Sequence, residues 1–126
     1  MATQTTTLHE ISALRSDKYP FGPWRFAGVR IYTLFLGADI SISATTLAQI
    51  IGGVSPSIAS ITTIQSLLIF PSKTVRVGLH GVNAQTSGFT LNADSLFTID
   101  NCSMTSLNIY NTVAAAATVF LALGGT

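Results

Sequence analysis

From residue 24 onward the chain alternates apolar and polar positions with a period of two, in one short segment after another, and this is the signature of half-buried β-strands. Trp24, Phe26, Val29, Ile31, Thr33 and Phe35 alternate imperfectly with Arg25, Arg30, Tyr32 and Leu34, and Gly28 breaks the phase as a bulge would. Gly37-Ala38-Asp39 reads as a turn, and Ile40-Ser41-Ile42-Ser43 as a cleanly alternating strand. Residues 45–51 fit either a single helical turn capped by Thr45 or Thr46, or a strand rich in Thr and Ile.

Residues 57–70 carry Ile58, Ile61, Ile64, Leu67 and Leu68 at a spacing near three, which taken alone suggests a helix. The Ser and Thr content competes with helical hydrogen bonding, and Pro71 follows at once. Two strands, over residues 58–63 and 65–70, are the better expectation. Further strands are expected at 73–79, 89–91 and 96–100, with a loop between Gly81 and Gly88 and polar turns at 92–94 and 101–103. Residues 107–111 and 118–123 are expected to close the domain as a pair around the turn-prone segment 112–117. Short strands separated by Gly, Asn, Asp and Ser predict an all-β domain, a single β-sandwich or a jelly-roll or barrel-like variant of it.

The first 23 residues break this pattern. A polar run, Thr3-Gln4-Thr5-Thr6-Thr7, is followed by one candidate helical turn around Leu8, Ile11 and Leu14 and then by Tyr19-Pro20-Phe21-Gly22-Pro23. Two prolines and a glycine in so short a space predict no regular structure there. The chain is therefore expected to divide into an extended N-terminal arm, 1–23, and a β-domain, 24–126. Leu8, Ile11, Leu14, Tyr19 and Phe21, with Trp24 beside them, are the candidate partner-contact residues, because an arm of this length cannot bury them itself.

Composition sharpens the picture. The chain has 126 residues, enough for one domain, and 48% of them are hydrophobic while only 9% are charged, against about 25% charged in an average soluble protein. A surface this poor in charge is expected to be covered by something. A membrane is not the expected cover: residues 40–72 hold no charge, but Gly52, Gly53, Pro56 and many Ser and Thr interrupt the run. The opening residues lack the basic and apolar progression of a secretory signal, so a soluble protein is expected. Net charge is +1, with Arg15, Lys18, Arg25 and Arg30 gathered near the start, so nucleic acid is not an expected partner.

Candidate chemistry is sparse. Five acids, two histidines and a single cysteine supply no metal-ligand spacing, and no glycine-rich loop is followed by Lys-Ser/Thr. A Cys102 and His80 pair is the one nucleophile-base combination conceivable, and no flanking motif supports it. The aromatic residues could stack on sugars, but they are also what pleated sheets contain. No catalytic residue, metal site or cofactor is expected, and the chain is expected not to be an enzyme.

The segments Ser66-Leu67-Leu68-Ile69-Phe70, Val75-Arg76-Val77-Gly78-Leu79-His80-Gly81-Val82, Gly88-Phe89-Thr90-Leu91, and Leu107-Asn108-Ile109-Tyr110 with the Ala-rich run before Thr118-Val119 resemble small virion proteins of tailed bacteriophages. The likeness lies in the C-terminal half. It implies a β-sandwich component of a phage particle, a capsid decoration (cement) protein that binds the major capsid protein or another virion protein and stabilises the shell. It further implies a homo-oligomer, a trimer before other states, made in the host cytoplasm and located on the virion, at the capsid surface. A head-tail or tail-fibre component, or a glycan-binding module of a fibre, is the alternative.

Overall fold

A computed structural model describes residues 2–14, 20–32, 34–52 and 61–126, with side chains from residue 34 on except that of Phe35. All regular structure in these residues is β. The first two strands, β1 (Ala2–Leu14) and β2 (Pro20–Tyr32), pair only with each other, as an antiparallel ribbon. Eight more follow: β3 (Leu34–Ile42), β4 (Leu47–Ile51), β5 (Ile64–Pro71), β6 (Val75–Leu79), β7 (Phe89–Leu91), β8 (Phe97–Met104), β9 (Leu107–Asn111) and β10 (Ala117–Gly125).

These eight pair in a nested way. β6 joins β7, β5 joins β8, β4 joins β9 and β3 joins β10, all antiparallel. The chain is thus one long doubled ribbon, closed at the loop between β6 and β7. Two further ladders, β10 with β5 and β9 with β6, roll this ribbon into two four-stranded sheets, β3-β10-β5-β8 and β4-β9-β6-β7. That strand order is the jelly roll.

Alternation explains which side each strand buries. On β10, Ala117, Val119, Leu121 and Leu123 are fully buried while Thr118 and Phe120 between them are exposed. Leu67 and Ile69 from β5, Val77 from β6 and Ile109 from β9 join them in a single core between the sheets. At one side of the sandwich the rings of Phe89 on β7 and Phe97 on β8 close the gap, with centroids 4.9 Å apart and planes tilted by 48°. At the other side the edge strands β3 and β4 leave an apolar recess of about 310 Å³ lined by Ile40, Ile42, Leu47, Ala48 and Ile50 among others.

Several local expectations give way to this topology. Pro20, Phe21, Gly22 and Pro23 are not irregular but lie in β2, where Ile11 pairs with Trp24 and Ala13 with Phe21. Gly22 and Pro23 thus stand against Ser12 alone, a bulge that tolerates a proline without a ladder N–H. The first strand to pair into the two larger sheets is β3, from Leu34. The irregularity expected near Gly28 is present as a register shift between Thr6 and His9, beside the Thr6–Gly28 pair. Gly37-Ala38-Asp39 is not a turn, because nine consecutive residues of β10 hold β3 straight through it.

Residues 101–103 form a bulge inside β8, with Asn101 at φ 56°, and not a turn between strands. Residues 45–51 resolve as a turn with Thr45 at φ 47° leading into β4. Of the strand expected at 58–63, residues 58–60 lie outside the described residues, and residues 61–63 are not a strand but are tied by the N–H groups of Thr62 and Thr63 to the Thr126 carbonyl. Residues 107–111 and 118–123 do not pair with each other: β9 and β10 belong to opposite sheets. Asn111, fully buried, makes that crossing by donating its amide to the carbonyls of Ile42, Ser43 and Ala115 at 3.0, 3.1 and 2.7 Å.

Candidate functional site, an apolar row across one sheet

The two outer faces of the sandwich are finished differently. Over β4-β9-β6-β7 the loop of residues 80–88 is laid down and pinned. Asn108 Oδ1 accepts the Ala84 N–H at 2.7 Å and its Nδ2 donates to the Val82 carbonyl at 2.9 Å. Arg76 donates from Nη1 to the Gln85 carbonyl at 3.0 Å and from Nη2 to that of Gly88 at 3.4 Å. Gly78 makes room: a Cβ there would meet the Val82 carbonyl, Ala84 N and Asn108 Oδ1. A polar cleft of about 230 Å³ remains beside the loop, lined by Gln49, Asn83, Ser106 and Asn108 among others, with no charged side chain.

The outer face of β3-β10-β5-β8 carries an exposed apolar row. Phe120 on β10 stands opposite Phe70 on β5, and its other neighbour is Asp39 on β3. Because Ile69 pairs with Phe97, Leu96 continues the row one residue ahead of β8. Phe120, Phe70 and Leu96 are 40%, 41% and 54% exposed. Single exposed apolar residues are ordinary, but three in one register row form a contiguous patch, and such patches mark contact surfaces. The next row along is smaller, Ala122 beside Leu68, and the one after that smaller again, Gly124 beside Ser66.

Charge is distributed unevenly around the row. Asp39 stands at one end, and at the other Asp94 is held by its N–H on the Pro71 carbonyl at 2.8 Å. Asp100 on β8 pairs with Ser66 on the same sheet. Lys73 follows the Ser72 turn, which exchanges hydrogen bonds with Thr118. The remaining cation of residues 34–126, Arg76, is occupied on the opposite sheet.

The candidate contact residues of the N-terminal segment fall on the ribbon: Leu8, Ile11 and Leu14 on β1, Phe21 and Trp24 on β2, with Ile11 and Trp24 direct cross-strand partners. Tyr19 lies outside the described residues. The row on the sandwich was not among those candidates, and its signal was the presence of large apolar residues at both parities of a strand, as in Leu67-Leu68-Ile69-Phe70 and Val119-Phe120-Leu121.

Cys102 sits in the β8 bulge, half-buried, with its Sγ donating to the Ile64 carbonyl at 3.6 Å. Burial, with Asp100 nearby, pushes its thiol up from the ordinary value. That direction disfavours the thiolate a nucleophile requires. His80 lies at a turn after β6, at φ 50°, in the other sheet's connections. Among the described residues, no three His, Cys, Asp or Glu side chains are grouped to hold a metal ion. No helix of the described residues is long and apolar enough to cross a membrane. No protein-family model and no curated protein matches the chain.

Proposed function

We propose that this chain is a non-enzymatic structural subunit of a bacteriophage particle, a capsid decoration protein that binds the major capsid protein and stabilises the shell as a homo-oligomer. The observation that carries the reading is the Phe120–Phe70–Leu96 row, a solvent-facing apolar strip on a sheet whose opposite partner has part of its outer face covered by the chain's own loop. Bringing such a strip out of water favours association by roughly 25 cal/mol per Å². The jelly roll is one of the architectures used by viral capsid proteins, and also by lectins and cupins, so the fold supports the reading only by analogy. The low charge of the chain, 9%, points the same way.

The glycan-binding alternative has weaker support. Two of the amides lining the polar cleft that would hold a sugar are already engaged, Gln49 Nε2 on the Ile51 carbonyl at 2.8 Å and Asn108 at both ends by the 80–88 loop.

The test is binding to phage particles stripped of accessory proteins. The double variant Phe70→Ser/Phe120→Ser, whose side chains already face solvent, is expected to keep the wild-type circular dichroism spectrum. Its retention on particles should drop at least tenfold. Unchanged retention would remove the row from the attachment surface and this reading with it.

A further inference from the structure

We infer that the apolar row on β3-β10-β5-β8 receives the N-terminal β1–β2 ribbon of a second copy of this chain, so that copies are joined by exchanged ribbons. The inference rests on the reading above only in treating the row as a protein-docking face; with the row taken by a second copy, retention on particles depends on it through the oligomer it joins.

Charge selects this occupant. Residues 1–33 hold Arg15, Lys18, Arg25 and Arg30 against Glu10 and Asp17, a net charge of +2. Residues 34–126 hold Lys73 and Arg76 against Asp39, Asp94 and Asp100, a net charge of −1, and the two parts sum to the chain's +1. All three of those acids belong to the strands or turns of the sheet that carries the row, where Lys73 is the one cation of residues 34–126, and Arg76 is turned to the other sheet. Two copies of the row placed face to face would bring acids against acids. A basic ribbon brings the opposite sign to Asp39 and Asp94, and its strands carry the apolar residues Leu8, Ile11, Phe21 and Trp24 in sequence.

Connection makes the exchange intermolecular. One residue separates β2 from β3. To lie over its own sheet, the ribbon would have to reverse direction and rise by the spacing between stacked sheets, about 10 Å, within a link whose ends, Tyr32 and Leu34, are at most about 7 Å apart. The thirteen residues of β2 span about 40 Å at about 3.3 Å per residue, farther than the nine-residue strands of the sandwich itself. The ribbon is long enough to cross a neighbour's face and badly tethered for crossing its own.

A charge-swap mixing experiment on the full chain tests this. Arg25→Glu/Arg30→Glu, both on β2, gives an acidic ribbon with the natural face. Asp39→Lys/Asp94→Asn gives a basic face with the natural ribbon, asparagine being at ease at the φ of 60° that residue 94 adopts. Light scattering after size exclusion should find the wild type associated and each variant alone at least tenfold weaker in association, with circular dichroism unchanged. An equimolar mixture of the two variants should recover association, because the acidic ribbon of one then meets the basic face of the other. A monomeric wild type, variants that associate like the wild type, or a mixture that stays monomeric would each overturn the inference. A monomeric wild type that still binds stripped particles through Phe70 and Phe120 would leave the docking reading standing and remove only the ribbon as the occupant.

Discussion

Asn108 holds Ala84 across the outer face of its sheet, its side-chain oxygen accepting the Ala84 N–H at 2.7 Å, and through this one buried amide β9 fixes a loop that belongs to the β6–β7 connection. The same side chain donates to Val82, so both ends of the amide are used.

Removing that amide leaves a buried N–H and a carbonyl unpaired, which costs roughly 1–3 kcal/mol for each group left without a partner. Asn108→Ala is therefore expected to lose about 2–3 kcal/mol of unfolding free energy by urea titration. Amide exchange at Ala84 should accelerate more than exchange in β10.

Gly78→Ala attacks the same contact from beneath. The added Cβ would lie 2.7 Å from Ala84 N and 2.8 Å from Asn108 Oδ1, with the rigid Val82 backbone closer still. A loss of about 1–3 kcal/mol is expected from overpacking. Because both substitutions displace one loop, the double variant should lose less than the sum of the two. Additive losses in thermal melts would show that the loop does not couple them.

Asn111→Asp should be the most damaging polar substitution. Nδ2 of Asn111 faces three carbonyls, and a carboxylate there would set negative charge against their oxygen atoms where burial keeps solvent from screening it. Desolvation raises the carboxyl's folded-state pKa above its unfolded value, so the protonated acid is the form tolerated in the fold. Stability of this variant should accordingly fall as pH rises through and above about 4, the unfolded value, opposite to the usual trend for a paired carboxylate. Urea midpoints at pH 4 and pH 7 check the sign.

Cys102 offers a gentler probe. Its thiol is raised by burial, so the folded state binds the thiol proton more tightly than the unfolded chain, and the contribution to stability is complete below the unfolded pKa and lost as pH climbs past it. Reaction with a disulfide reagent at about pH 8, near the ordinary thiol range, should be several-fold slower in the native protein than in urea. Equal rates would mean that the bulge is open to solvent.

The strand pattern exposed the fold class because core residues of β5, β6 and β10 alternate with period two. What it could not expose was long-range pairing. Gly37 looks like a turn residue until β10 lies beside it with Ala122 opposite. Residues 107–111 and 118–123 look like a hairpin until the buried Asn111 redirects the chain to the other sheet. The docking row was hidden for a related reason. Where both parities of a strand are apolar, as at Ile69-Phe70 on β5 and Phe120-Leu121 on β10, periodicity gives no sign of which side faces the core.

Nested pairing also dictates an order in time. The β6–β7 pair closes the shortest loop, Val77 meeting Phe89, whereas β3 and β10 must bring Ile42 to Ala117. Loop-closure entropy rises with separation and contacts distant in sequence slow folding, so the ribbon should zip from its closed end outward and the central strand β10 should be among the last to dock. Until it does, β5 stands with one open edge and the apolar side chains of both its faces in water, and collapse onto another chain competes with completion.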